Sequence, residues 1–542
     1  VAEIEKVRTL LGPPGTGKTT AILDQIDGLL ADGVPPQQIA FVSYTTAAVK
    51  NAIDRASSRF DLDPDSFVYF RTIHAMGLLS MRGHGADKPT VMGASEWKAF
   101  GESFSYDFTD DGGDEPTLNF AEDGDCLKSL TELRRVKRCS TEEAILHASE
   151  VPPHIESSMV DLFASRLAAW KRDNGQIDFT DMLERSLASA WRPPVRFAFI
   201  DEAQDNSRLQ NALTVHWFWH NTRCELVTYA GDDDQAIYDW SGGDIGALVR
   251  LASKTECRVL EQSYRVPKMA HALAESIVRQ NKNRVPKSYR PRDEDGSITI
   301  ASGPEDAVSA CPDGAAILAR NIMFLHPHRK ALIEHGRLFS CEAGPAAPLD
   351  RKDTLGAFRA ICAWRRGASA TAADLMSLLA LVPSKLGSQV IVPRGIKTRA
   401  KENEDPVPVW RAREQFKLNV VLGAALRESG MFDLLTRVAP EERRYLEIVL
   451  ARDPLLQRAK IVATTDHRSK GREFPCVVVD PNMANRSHRS FTSGRTEKIE
   501  EENRVQYVAS TRTKGGIIIE RPSDYRHYPY DHHIRSARAA WQ

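Results

Sequence analysis

The stretch Gly12-Pro13-Pro14-Gly15-Thr16-Gly17-Lys18-Thr19-Thr20 decides the fold of this chain. An apolar run, Val7 to Leu11, leads into it, and the amphipathic segment AILDQIDGLLADG follows. Strand, glycine-rich loop and helix in that order match G-x-x-x-x-G-K-[ST] in full, the pattern of a loop that wraps phosphates. Glycines let backbone N–H groups approach phosphate oxygens, and the following helix points its amino terminus at the anion. Lys18 is placed to reach the β- and γ-phosphates and the Thr19 hydroxyl to hold Mg²⁺. Gly12, Pro13, Gly15, Thr16, Gly17 and Thr20 complete the expected nucleotide-binding loop.

Working outward, IAFVSYT (39–45) reads as a second buried strand and AAVKNAIDRASSRF as a second helix. Alternation of this kind predicts a parallel sheet covered by helices on both faces. From Gly83 to about Pro153 the texture changes. Asp107–Asp125 carries eight acids and no base, then LRRVKR forms a basic patch on an expected helix. We read this as an insertion with an acidic exposed loop. The α/β texture returns at VRFAFIDEAQD (195–205) and LVTYAGDDDQ (226–235), two strands that deliver carboxylates at their carboxyl ends, where α/β folds place chemistry. Asp201 is expected to complete the Mg²⁺ shell. Glu202, one residue on, is expected to be the base for a water attacking the γ-phosphate; the bland alternative for two acids after a strand is a helix cap. Strands recur at SITIA and AAILAR, a helical stretch covers roughly 343–459, and KIVATT, PCVVVD, VQYVAST and KGGIIIE close the chain.

Composition bounds these readings. The 542 residues predict about three or four domains. No apolar run approaches the length of a membrane span, no export signal is visible, and a cytoplasmic protein is expected. The net charge of −1 gives no global attraction to nucleic acid, so any such binding must be local. Eight scattered cysteines without C-x-x-C spacing disfavour zinc ribbons, four-cysteine clusters and disulfide scaffolds.

At this point the residues resemble superfamily 1 helicases of the UvrD/Rep/PcrA-like group. GPPGTGKTT, FVSYTTAAVKNAI (41–53), RTIHAMG (71–77), IDFTDML (177–183), IDEAQD (200–205), YAGDDDQAIYDWSGGD (229–244), LEQSYR (260–265), TTDHRSKGREF (464–474) and EENRVQYVASTR (501–512) resemble that family's motifs in order. The resemblance implies an α/β fold of two RecA-like P-loop domains with ATP between them, each interrupted by a mainly helical insertion. The expected boundaries are 1–82 with 190–262 for the first domain, 83–189 for its insertion, 263–344 with 456–542 for the second domain, and 345–455 for its insertion. It further implies that Gln235 reads the γ-phosphate, that Arg265 and Arg512 are arginine fingers from the second domain, that Glu473 holds the ribose and that Tyr264 stacks on adenine. Tyr44, Tyr238, Trp240, His74 and His467 match positions near the nucleic-acid strand, with Thr45, Thr72 and Arg468 as backbone contacts. The sequence departs from the family in four places: no glutamine precedes Gly12, Thr20 stands where an arginine is usual, Ala203 where an aromatic is usual, and Ser263 where an asparagine is usual.

The resemblance implies an ATP- and Mg²⁺-dependent DNA helicase moving on single-stranded DNA and acting at single/double-strand junctions in repair or replication, and it alone carries the expected 3′→5′ direction. The expected state is a monomer with no membrane association. Three alternatives stand beside it: a translocase that strips proteins from DNA, a DNA-stimulated ATPase subunit of a repair or defence complex, and a metabolic P-loop kinase.

Overall fold

The computed structural model describes residues 2–82, 90–109, 122–148, 151–403, 406–430 and 432–539. Most of the acidic segment, 110–121, lies outside them. The first sheet has six strands: β1 (Val7–Leu11), β2 (Ile39–Ser43), β3 (Phe70–Thr72), β4 (Phe197–Ile200), β5 (Leu226–Gly231) and β6 (Glu256–Val259). They run in the order β3-β2-β4-β5-β1-β6, and every pairing is parallel. Period-two alternation along the strands builds a separate core on each face. Val7, Leu11, Ala40, Val42, Ala198 and Ile200 enter one core, which holds the buried Trp217. Leu10, Ile39, Phe41, Phe199 and Ala230 enter the other, against Ile22, Leu23 and Ile26 of the helix Lys18–Ala31. Burial on both faces explains why these strands read as continuous apolar runs rather than alternating ones.

The second sheet comprises β7 (Ser297–Ala301), β8 (Ala316–Ala319), β9 (Phe339–Cys341), β10 (Ile461–Thr465), β11 (Phe474–Asp480) and β12 (Thr513–Glu520). Its order is β9-β10-β8-β11-β12-β7, again wholly parallel. Helices between Lys352 and Arg452 share its core: Trp364 is buried there and its indole N–H donates to the Val407 carbonyl at 3.0 Å.

The stretch that interrupts the first sheet forms helices Ala94–Phe104, Asp123–Lys137 and Ser157–Asp173 around a core of its own, with Phe100 and Phe163 at its centre. The basic patch read from LRRVKR is taken up by ion pairs. Arg135 binds Asp178 and Asp181 at 2.8 and 2.6 Å, and Lys137 binds Asp239 at 2.8 Å.

The chain divides into two compact units. One contains Val1–Arg265, Ile277–Arg292 and Arg489–Tyr507; the other contains Val266–Ser276, Asp293–His488 and Val508–Gln542. Residues 263–265, 277–292 and 489–507 pack in the first unit. The cause is specific bonding. Tyr264 N donates to Gly15 O at 2.8 Å, Ser263 Oγ to Pro14 O at 2.7 Å, and Arg284 and Arg504 bind Asp234 and the Asp233 carbonyl. No helix of the described residues is long and apolar enough to cross a membrane, and all eight cysteines are unbridged.

Candidate nucleotide site and nucleic-acid face

Strands β4, β5 and β1 are neighbours in the first sheet, and each hands its carboxyl end to one part of the site. The loop after β1 carries Gly12 to Thr19. Gly12 packs so tightly that a Cβ there would stand 2.6 Å from the Lys18 Cβ. Gly15 and Gly17 have φ of 72° and 77°, a left-handed conformation that glycine adopts without steric cost. Thr16 Oγ1 donates to Pro13 O at 2.8 Å and closes the turn.

Lys18 is buried. Its ammonium lies 2.7 Å from Glu202 Oε1 and 3.6 Å from Asp201 Oδ1. Burial by itself would lower its pKa, but the Glu202 and Asp201 carboxylates outweigh burial and hold it above the ordinary lysine value. Thr19 Oγ1 donates to Asp201 Oδ2 at 3.0 Å. Burial pushes the Asp201 carboxyl up, with the Glu202 charge adding to the shift and Lys18 opposing it. Glu202 has φ 53°, an uncommon value for a residue with a Cβ and a costly one that the surroundings must hold in place. Its N–H donates to Asp201 Oδ1 at 2.9 Å, and its Oε2 accepts from Gln204 Nε2 at 2.5 Å.

Beyond β5, Asp232 N donates to Gln204 Oε1 at 3.0 Å, and Asp232 Oδ2 accepts from Gln235 Nε2 at 2.7 Å. The expected catalytic residues of this unit are therefore linked through a side chain that sequence reasoning did not assign, Gln204. Its only signal was its place in IDEAQD. Arg265 stands against the loop: a Cβ on Gly15 would lie 2.3 Å from the Arg265 Cβ. Tyr264 is 72% exposed, its ring open to stack on a flat ligand. Gly15→Ala combines that clash with a disfavoured φ and is expected to weaken binding of a non-hydrolysable ATP analogue by about tenfold or more, read by titration.

Thr19 and Asp201 suit Mg²⁺, because they present adjacent oxygen donors and hard cations take oxygen ligands. The loop fits a polyphosphate in the same sense, with a glycine-rich backbone that is half-buried at Gly15 and Gly17 and a buried cation at its end.

The residues expected along a nucleic-acid strand follow β2, β3 and β5. Tyr44 and Tyr238 stack with centroids 5.7 Å apart and planes at 13°, and Trp240 meets Tyr238 edge-on at 6.1 Å. Tyr44 is exposed. His74 lies edge-on to Phe179 at 6.0 Å; burial lowers its pKa and favours the neutral ring. Phe179 is 58% exposed and belongs with these aromatics; the sequence offered it within IDFTDML. The Thr45 and Thr72 hydroxyls accept from Ala48 N at 3.2 Å and Ala75 N at 3.3 Å.

The remaining expected residues belong to the second unit. His467 is buried and Arg468 binds the Glu342 carbonyl, both just beyond β10. Glu473, immediately before β11, pairs with Lys514. Arg512, immediately before β12, is fully buried; its Nε donates to Val508 O and its Nη2 to Thr511 Oγ1, each at 3.0 Å.

Comparison with known proteins bears on both sheets. The UvrD/REP helicase N-terminal domain model matches residues 1–256, and the UvrD-like helicase C-terminal domain model matches residues 445–521. A probable DNA helicase II homolog of Mycoplasma capricolum is 24% identical over 325 residues, which cover 55% of this chain and 42% of that protein. The ATP-dependent DNA helicase PcrA of Bacillus subtilis is 23% identical over 317 residues, 54% of this chain and 41% of its own length. The ATP-dependent DNA helicase srs2 of Schizosaccharomyces pombe is 27% identical over 246 residues, 39% of this chain and 27% of its own. The chain thus spans less than half the length of these relatives. Both halves of one family's architecture nevertheless match in order, together over more than half of the residues, and the chain belongs to the UvrD/Rep/PcrA-like helicase family.

Proposed function

We propose that this protein is an ATP-dependent DNA helicase that moves 3′→5′ on single-stranded DNA and opens duplex DNA at junctions, driven by hydrolysis at the Gly12–Thr20 loop. The observation that carries the reading is the loop after β5. Gln235 is tied through Asp232 and Gln204 to Glu202, and three residues on Tyr238 stacks with Tyr44. One short segment thus joins the expected phosphate sensor to an aromatic platform of the kind on which single-stranded bases stack.

In the proposed reaction Lys18 leaves Glu202 for the β- and γ-phosphates. Glu202, released from that ion pair, takes the proton of the attacking water. Gln235 senses loss of the γ-phosphate and passes the change to Tyr238 and Trp240. Arg265 and Arg512 are the proposed arginines that stabilise the charge of the transferring phosphoryl group, Tyr264 stacks on the adenine, and Glu473 holds the ribose. Thr19 and Asp201 would hold Mg²⁺, which when bound neutralises phosphate charge. His74, His467, Arg468, Thr45 and Thr72 are proposed strand contacts. The domain boundaries set out from the sequence, a cytoplasmic location, a monomeric state and a repair or replication partner belong to the same proposal.

The test is unwinding of 3′-tailed, 5′-tailed and blunt duplexes by purified protein. The expected result is ATP-dependent opening of the 3′-tailed substrate only. Hydrolysis stimulated by DNA without strand separation would favour the translocase or ATPase-subunit reading. Hydrolysis indifferent to DNA would overturn both.

A further inference from the structure

Three consecutive aspartates, Asp232, Asp233 and Asp234, follow β5 and are wholly buried. Adjacent carboxylates out of water demand cations and hydrogen-bond donors. Both come from the returning segment 277–292. Lys287 Nζ lies 3.1 Å from Asp232 Oδ1, 2.6 Å from Asp233 Oδ1 and 2.6 Å from Asp234 Oδ2. An ammonium has three N–H donors, so each meets one carboxylate. Arg284 grips Asp234 with two bonds of 2.9 and 2.6 Å, and Val285 N donates to Asp233 Oδ2 at 2.8 Å. Burial alone would lower the Lys287 pKa; the three aspartates outweigh it and hold the side chain charged.

On its other side this cluster faces the chemistry. Asp232 gives one carboxylate oxygen to Lys287 and the other to Gln235 Nε2. The Asp232 N–H is fixed on Gln204, whose amide holds Glu202. A line of direct bonds therefore runs from Lys287 through Asp232 to Gln235, and through Gln204 to Glu202.

We infer that Lys287 is a positioning residue for ATP hydrolysis, setting Asp232 so that Gln235 and Glu202 stand where the reaction needs them. The inference rests on the proposed function above. Lys287 touches neither the phosphate loop nor Lys18, so its removal acts on turnover and not on nucleotide capture.

The test measures DNA-stimulated ATPase kcat together with the dissociation constant and stoichiometry for a non-hydrolysable ATP analogue. Lys287→Met is expected to lower kcat by at least about tenfold while the analogue's dissociation constant stays within about threefold and its stoichiometry stays at one. Arg284→Lys keeps the charge but loses the two-bonded grip, and is expected to lower kcat by about threefold with binding intact. It decides the matter if Lys287→Met does not fold. Arg196→Gln, which breaks an exposed ion pair with Glu225 in the same unit, is expected to behave as wild type. A folded Lys287→Met variant with wild-type kcat overturns the inference. So does a kcat that falls only in step with analogue stoichiometry, and so does an unchanged Arg284→Lys where Lys287→Met is insoluble. Wild-type protein without ATPase activity would instead remove the proposed function, and this inference with it.

Discussion

Glu202→Gln is expected to cut ATP turnover by about 10²- to 10⁴-fold, the range that a general base contributes, while nucleotide binding survives and tightens. The change is nearly isosteric. It leaves an amide oxygen to accept from Gln204 Nε2, as Oε2 now does at 2.5 Å, so the strained backbone at 202 keeps its support. What disappears is the proton acceptor and one carboxylate charge. That charge now lies 2.7 Å from the Lys18 ammonium, and any phosphate that recruits Lys18 must displace it. Without it, the only carboxylate still ion-paired with Lys18 is Asp201 at 3.6 Å, and the competition for phosphate is weaker. Steady-state ATPase and analogue titration on the same preparation separate the two effects. Undiminished kcat would remove Glu202 from the role of base. Lost binding would show that the ion pair builds the loop instead of competing with the ligand.

How much of this site was legible follows from where each bond's partners lie in the chain. Gly12 to Thr19 could be read directly, because the chemistry of a phosphate loop is imposed by contiguous residues whose spacing cannot vary. Asp201 and Glu202 were legible for a related reason: a buried apolar run followed by acids places them at a strand's carboxyl end. The same rule located Asp232 to Gln235 but not what holds them there. Arg284 lies 50 positions from Asp234, and Arg504 lies 271 from Asp233. In a linear reading such cations look like solvated charge. Gln204 escaped notice because its function is a bond to a backbone N–H 28 positions away. Thr45 and Thr72 show how one residue serves two readings: each hydroxyl oxygen accepts a cap bond from the helix that follows, and the O–H that a hydroxyl also carries is what a strand contact would use.

Lys18→Ala should have the larger effect on binding, and it should leave a mark on the unliganded protein too. Loss of the ammonium removes the group expected on the β- and γ-phosphates, so analogue binding should fall by about a hundredfold or more and hydrolysis should disappear with it. In the free protein the same ammonium is the cation that opposes the upward shift of the Asp201 carboxyl. Removing one partner of a buried pair leaves an uncompensated charge, which costs about 3–5 kcal/mol; Glu202 is partly exposed and Thr19 still donates to Asp201, so the lower end is expected. The pH dependence has a definite sign. Asp201 already titrates above the ordinary aspartate value of about 4, and without Lys18 it moves higher. A carboxyl raised in the folded state is tolerated while protonated and penalised once ionised, so the deficit is greatest at neutral and alkaline pH. It should narrow as the solution is acidified from neutral pH, when the variant takes up the proton that replaces the missing cation. Urea unfolding of both proteins across that range reads the difference directly. A deficit that stayed constant with pH would show that Lys18 stabilises the unit by packing and not by charge.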